Sequence, residues 1–370
     1  MRPFVFSADA HVAEPPDLYL TRMPAHLQAW ALNSLAEGDH RLTRIGETTV
    51  MRVKAGLTDH KVDPETTRRG VRDLAFRLQD MAKDGVDAEL CFPSLGLVAH
   101  RIEHREAALK TAQIYNDWLW DYLAGLHHKL VPVALLPVVD LGDTLAEFKR
   151  VVAQGYAAVM LPVVLPDFAV KYNLPDWDPI FAYAGEADVP IVFHTGTGAV
   201  NIHALRGPGG AIFNYTRQMN DAVDTIAALV GGGVLDRNPE AHILFVEHGA
   251  GWLMGLAERM DEVYQGHEPM IRPKLGRKPS QIVRDQVHCT FQNDVGCLVT
   301  RKALGPGALL FATDYPHGEG TFPHSRELIE RMFDAVPDIT EAEKRDVLGG
   351  NAARLFPRAN IAVLHEGAPV

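Results

Sequence analysis

Phe4-Val5-Phe6-Ser7-Ala8-Asp9-Ala10-His11 opens the chain with an apolar run that ends in two metal-capable side chains. Three later segments repeat the pattern: Ile191-Val192-Phe193 leads into His194, Ile243-Leu244-Phe245-Val246 into Glu247-His248-Gly249-Ala250-Gly251-Trp252, and Leu309-Leu310-Phe311 into Asp314-Tyr315-Pro316. Each run is short and rich in β-branched or aromatic residues, as a buried strand requires. Parallel barrels carry their chemistry at the C-terminal ends of their strands. Side chains from opposite ends of the sequence can therefore meet around one ion.

Reading outward, strands are expected at 4–9, 86–92, 131–136, 157–161, 190–194, 243–248, 286–292 and 309–314, with helical stretches between nearly all of them. Alternation of this kind implies parallel pairing through right-handed crossovers. Eight such units close most naturally as a (β/α)₈ TIM barrel. An open doubly wound sheet is disfavoured, because the polar groups end strands across the whole order and not at one switch point. A helix over 71–83 is expected to share Asp73, Arg77 and Asp80 on a polar face. Asp143 is the N-cap candidate of a helix over 144–153, and Gly231-Gly232-Gly233 ends a helix over 217–230.

Two stretches break the rhythm. Residues 15–68 are polar and irregular, with a hairpin signal at 41–53. They read as an insertion after the first strand, over the barrel mouth or at a subunit contact. Residues 196–215 carry five glycines and form a long loop after the fifth strand, of the kind that is usually functional or mobile. With extra C-terminal helices, the expectation is a single domain over 1–370.

The chain has 370 residues, 47% of them hydrophobic, enough for a large core. A net charge of -11 argues against nucleic acid or an anionic membrane as partner. Cys91, Cys289 and Cys297 are too scattered for a disulfide framework or a CxxC site, and the first two fall in expected strands as buried thiols. The N-terminus enters a strand without a signal-peptide core, and no stretch has the roughly 18 apolar residues of a membrane span. A cytoplasmic location is the expectation that follows.

In a strand, residues i and i+2 point to one side, so Asp9 and His11 can both face the barrel axis. Taken singly, His194 also reads as a core histidine, His248 as part of a tight strand-to-helix turn, and Asp314 as a turn or N-cap aspartate. That strands 1, 5, 6 and 8 should all end this way by chance is the weaker account. Two carboxylates and two histidines suit Zn²⁺ best, with Mn²⁺ or Fe²⁺ as alternatives.

These segments resemble the amidohydrolase superfamily, in the branch that includes aminocarboxymuconate semialdehyde decarboxylase and the metal-dependent benzoate-type decarboxylases. Asp9-Ala10-His11 with Glu14-Pro15 is similar to the opening motif, His194 to the fifth-strand ligand, and His248-Gly249-Ala250-Gly251 to the sixth-strand segment. Thr313-Asp314-Tyr315-Pro316 is similar to the eighth-strand motif, and Gly349-Gly350-Asn351-Ala352-Ala353-Arg354-Leu355-Phe356 to the C-terminal helix signature. The resemblance implies that Asp9, His11, His194 and Asp314 hold one divalent ion, with His248 as general acid/base and Asp314 able to take a proton from water. Asp9 departs from the His or Glu found there in the best-known decarboxylases. The fourth strand reads Met160-Leu161-Pro162 and offers no lysine for carboxylation, which favours a mononuclear site.

Arg206, His317, Trp252 and Asn293 are the candidate substrate contacts. The first reading is a hydrolase acting on a small cyclic or aromatic compound through metal-activated water. The second is non-oxidative decarboxylation of an aromatic or enol-type acid, and the third a non-catalytic binding barrel. Related enzymes make a homodimer the expected assembly.

Overall fold

The computed structural model describes residues 3–54, 69–305 and 307–361. Its strands are β1 (Phe6–Val12), β2 (Leu32–Glu37), β3 (His40–Ile45), β4 (Thr48–Lys54), β5 (Ala88–Pro93), β6 (Leu130–Leu135), β7 (Ala158–Val164), β8 (Ile191–Gly198), β9 (Ile243–Val246), β10 (Val287–Phe291) and β11 (Leu309–Phe311). Eight of them form one parallel sheet in the order β1-β5-β6-β7-β8-β9-β10-β11. Helices cover its outer face, so the strands are buried on both sides and most of their residues are apolar. The expected TIM barrel is the fold.

The ring closes between β1 and the segment after β11. Ala10 bridges Tyr315 in parallel register, His11 N–H donates to the Tyr315 carbonyl at 2.6 Å, and Asp314 N–H to the Asp9 carbonyl at 3.0 Å. The buried Ser7 hydroxyl accepts from Thr313 N–H at 2.9 Å and donates to the Asp9 carbonyl at 2.7 Å. The seam thus places Asp9, His11 and Asp314 side by side. The Asn351 amide donates to the Leu309 carbonyl at 2.9 Å, which pins the C-terminal helix Asn351–Leu355 to β11.

The hairpin at 41–53 is present as β3 and β4, and β2 adds a third antiparallel strand. Arg101 ties this small sheet to the mouth: its guanidinium donates to the carbonyls of Val50, Gly198 and Val200. Residues 55–68 of the insertion lie outside the described residues. Cys91 and Cys289 are buried in β5 and β10.

Three local expectations are corrected. The helix begins at Leu141 with Asp140 as its cap, because Asp140 accepts from Asp143 N–H at 3.0 Å; Asp143 instead accepts from Arg105 at 2.6 Å. Arg77 does not join a solvated face. It is 1% exposed, donates to Glu89 at 2.6 Å and to the His11 carbonyl at 2.7 Å, and lies over the Tyr315 ring. Two site residues also lie within strands and not past their ends: β1 continues through His11, and β8 runs four residues beyond His194.

Candidate metal centre

The site is built from atoms left over after the backbone has taken what it needs. His11 Nδ1 is 2.9 Å from the Pro93 carbonyl, and His194 Nδ1 is 2.8 Å from the Thr195 carbonyl. A carbonyl only accepts, so both rings carry their proton on Nδ1 and leave the Nε2 lone pair free. Those two Nε2 atoms face Asp9 Oδ1, at 3.7 Å from His11 and 3.4 Å from His194. Asp314 Oδ1 is 3.6 Å from His11 Nε2. Ligand-capable atoms of Asp9, His11 and His194 all lie within 4.8 Å of one another. Asp9 therefore reaches the cluster despite its short side chain.

The four side chains are at most 1% exposed. Asp9 Oδ2, Asp314 Oδ2 and His11 Nε2 have no hydrogen-bond partner among the described residues. Buried polar atoms in folded proteins are nearly always paired, so three orphans in one cluster require an explanation. A divalent cation supplies one: imidazoles held through Nδ1 by backbone carbonyls, with Nε2 facing inward and carboxylates beside them, are a metal-ready donor set. The charge states agree. Burial, reinforced by His317 and His194, holds the His11 pKa well below that of a free histidine. Burial chiefly, with the charge of Asp9 adding, pushes Asp314 up to about 6 against the hydrogen bond from His317.

His248 follows β9 and is 6% exposed, with neither ring nitrogen well bonded among the described residues. Burial pulls it down to about 3, and His194 adds repulsion. Its turn is rigid. Asp294 accepts from Ala250 N–H at 2.9 Å and Gly251 N–H at 2.6 Å while capping the helix Val295–Leu304. A Cβ at Gly251 would lie 2.9 Å from that carboxylate, so only glycine allows the approach.

The substrate candidates divide. His317 is in the cluster, its Nδ1 2.7 Å from Asp314 Oδ1 and its ring 4.5 Å from that of His11. Burial opposes charge there, yet Asp314 holds the pKa up at about 9. Trp252 is occupied in the turn, its indole N–H donating to the carbonyls of His248 and Gly249. Arg206 and Asn293 are exposed, and no hydrogen bond or ion pair ties either to the cluster among the described residues.

Two members went unread in the sequence. Glu247 Oε2 is 4.0 Å from His194 Nε2. Its pKa stands well above the carboxylate range, through burial and then the charges of Asp314, Asp9 and Glu319. Glu319 joins Glu247, Asp314 and His317 in a second group whose ligand-capable atoms lie within 4.8 Å. Glu247 and Asp314 both have positive φ, 67° and 54°, a conformation rare for such residues and concentrated at functional sites. That backbone turn at each strand end was the available signal.

A family model described as amidohydrolase matches residues 9–358. The chain belongs to the amidohydrolase family. No curated protein matches this amidohydrolase, but solved structures share its fold. An amidohydrolase from Mycobacterium avium subsp. paratuberculosis K-10 superposes with a TM-score of 0.79 at 19% identity, over 96% of this chain and 100% of that one. A 5-carboxyvanillate decarboxylase from Sphingomonas paucimobilis gives 0.68 at 20% identity, over 96% and 99%. A dihydroxybenzoic acid decarboxylase from Polaromonas sp. JS666, with bound manganese and the inhibitor 2-nitroresorcinol, gives 0.66 at 18% identity, over 96% and 97%. Among the described residues of this amidohydrolase, no helix is long and apolar enough to cross a membrane.

Proposed function

We propose that this amidohydrolase-family protein catalyses metal-dependent, non-oxidative decarboxylation of an aromatic or enol-type carboxylic acid. The observation that carries the reading is the buried set Asp9, His11, His194 and Asp314, in which Asp9 Oδ2, His11 Nε2 and Asp314 Oδ2 have no partner among the described residues. The donor set fits one divalent ion, with Mn²⁺, Zn²⁺ and Fe²⁺ all compatible. When bound, the ion would polarise substrate oxygens and offset negative charge as it develops on them. Fold neighbours that act as decarboxylases, one of them with manganese bound, support placing this reaction ahead of hydrolysis.

The protein's own groups supply the rest. His248 is the proton donor: the ring π electrons take its proton at the carbon that bears the carboxylate. The pair of the bond to the carboxylate then returns to the ring, and CO₂ leaves. One proton is consumed for each CO₂ released. A neutral, buried imidazole gains proton affinity when an anionic substrate arrives beside it, so His248 becomes an acid only in the loaded site. Trp252 and Asp294 fix the turn that aims it.

Hydrolysis through the same residues is the second reading, since Asp314 is placed beside the open atoms to accept a proton from water. A binding barrel without catalysis would have these side chains turned apart, and they converge. The test is CO₂ release from a panel of hydroxybenzoates by protein stripped of metal and reloaded with Mn²⁺ or Zn²⁺. The expected outcome is CO₂ release that falls at least ~10³-fold in His248→Ala while the metal content stays unchanged. Turnover of lactone or amide substrates with no CO₂ from any acid would sink the proposal.

A further inference from the structure

Gln292 follows β10, and strand register sets its position. His194 pairs with Val246 across β8 and β9, and Phe245 with Cys289 across β9 and β10, so Thr290 stands level with Val246 and His194. Paired residues of parallel strands turn their side chains to one face of the sheet. The His194 ring faces Asp9 among the metal donors, so that face is the barrel interior. Alternation returns to it at Gln292, two residues past Thr290. The ladder carries into this turn, since Ala312 N–H donates to the Phe291 carbonyl at 3.0 Å. His248 lies two residues past Val246. Gln292 and His248 therefore leave adjacent strands, about 5 Å apart, at one level, a step nearer the mouth than His194.

Bonding gives the independent argument. Gln292 Nε2 is buried and has no hydrogen-bond partner among the described residues, and the same holds for both ring nitrogens of His248. A buried donor left open costs stability. The open atom is a donor, so a metal ion does not satisfy it and an acceptor oxygen does. The next two residues do not compete for the place: Asn293 is exposed, and Asp294 is committed to the turn at Ala250 and Gly251.

We propose that Gln292 binds the substrate's carboxylate, donating from Nε2 to one of its oxygens while His248 faces the carbon that bears it. Among the described residues the ion pairs of Asp9, Glu247 and Asp314 are all to histidines, and no lysine or arginine pairs with them. A neutral donor suits the proposed chemistry. The carboxylate charge is lost as CO₂ forms, and a fixed cation would stabilise the ground state more than the transition state. The proposal rests on the decarboxylase reading for the identity of its ligand as an acid.

The experiment uses the Mn²⁺-loaded full chain as wild type, Gln292→Leu and Gln292→Glu. A nitro group has the shape and the acceptor oxygens of a carboxylate and does not leave as CO₂. Nitrophenols matched to the hydroxybenzoate panel are therefore titrated by calorimetry beside the parent phenols. Wild type should bind the nitrophenols more tightly than the phenols. Gln292→Leu should weaken the nitrophenols roughly tenfold, as loss of one hydrogen bond does, and leave the phenols within about twofold. Gln292→Glu should weaken them at least as much, and metal content should not change in either variant. For any acid that releases CO₂, Gln292→Leu should raise KM about tenfold and keep kcat within about fivefold. The same variant should melt at or above the wild-type temperature, because an open amide has been removed. A large fall in melting temperature places the amide in the fold and overturns the proposal. Equal loss of nitrophenols and phenols, or no loss of either, overturns it as well. CO₂ release with nitrophenol binding untouched in Gln292→Leu fails this proposal alone. The predicted shifts without CO₂ from any acid leave the binding role standing and fail the decarboxylase reading.

Discussion

Glu14 and Asp314 are both buried carboxylates near the same barrel mouth, and their surroundings are opposite. Glu14 accepts from the backbone N–H groups of Ser94, Leu95 and Gly96 and from the Tyr19 hydroxyl, at 2.7–3.2 Å. Both of its oxygens are used. Asp314 has one oxygen on His317 and the other without a partner among the described residues. The same contrast separates two buried histidines. His288 has Nδ1 on the Gly307 carbonyl at 2.7 Å and Nε2 on His242 at 3.0 Å, whereas among the described residues neither nitrogen of His248 is well bonded. The closed members of these pairs contribute to the fold. The open ones cost it stability, and that cost is recovered only when a ligand arrives.

The comparison breaks most visibly at Asp314. Asp314→Asn should lower turnover by at least ~10³-fold, equivalent to about 4 kcal/mol of transition-state stabilisation. The metal-free variant should melt at or above the wild-type temperature, because a buried like charge beside Asp9 has been removed. Differential scanning calorimetry of both stripped proteins checks this; a large loss of stability would place Asp314 with the closed group.

Glu14→Ala should behave in reverse. Three backbone N–H groups lose their acceptor, which costs roughly 3 kcal/mol or more in denaturant titration. Metal bound per folded molecule should not change.

His288 gives a smaller effect that depends on pH. Burial lowers its pKa from 6.5 to about 4, so the folded state favours the neutral ring. Its contribution is complete above pH 6.5 and is lost as pH falls through 4, amounting to roughly 3 kcal/mol. His288→Gln should flatten that slope between pH 6.5 and 4, as read by urea unfolding at fixed pH. The smallest effect is expected at Arg206: on an exposed loop without ties to the cluster, Arg206→Ala should change kcat/KM less than about twofold. A tenfold loss would show that the loop folds onto substrate.

The barrel was legible because short apolar runs lie in or lead into its strands: Phe4-Val5-Phe6 into β1, Ile191-Val192-Phe193 at the start of β8, and all of β9 and β11. Asp9, His11, His194 and Asp314 were legible because each follows or interrupts such a run. Glu247 and Glu319 were not. A carboxylate after a strand or on a loop looks like solvated rim, and only the positive φ at Glu247 turns the chain at that point. Arg77 misled for a related reason: helical spacing with Asp73 and Asp80 suggests a wet face, but Glu89 lies on a strand and supplies a buried counter-ion that spacing does not show. Strand β2 was missed because only Leu32 of its residues is buried, leaving little alternation to read.

The central claim is that the open atoms at the mouth of the barrel exist to hold a divalent ion. A crystal of the protein grown or soaked with Mn²⁺, measured at the manganese absorption edge, tests it most directly. The account predicts an anomalous difference peak enclosed by Asp9, His11, His194 and Asp314, absent in His11→Ala crystals treated alike. A fully soaked crystal with no peak there, or with manganese only on surface carboxylates, would contradict it.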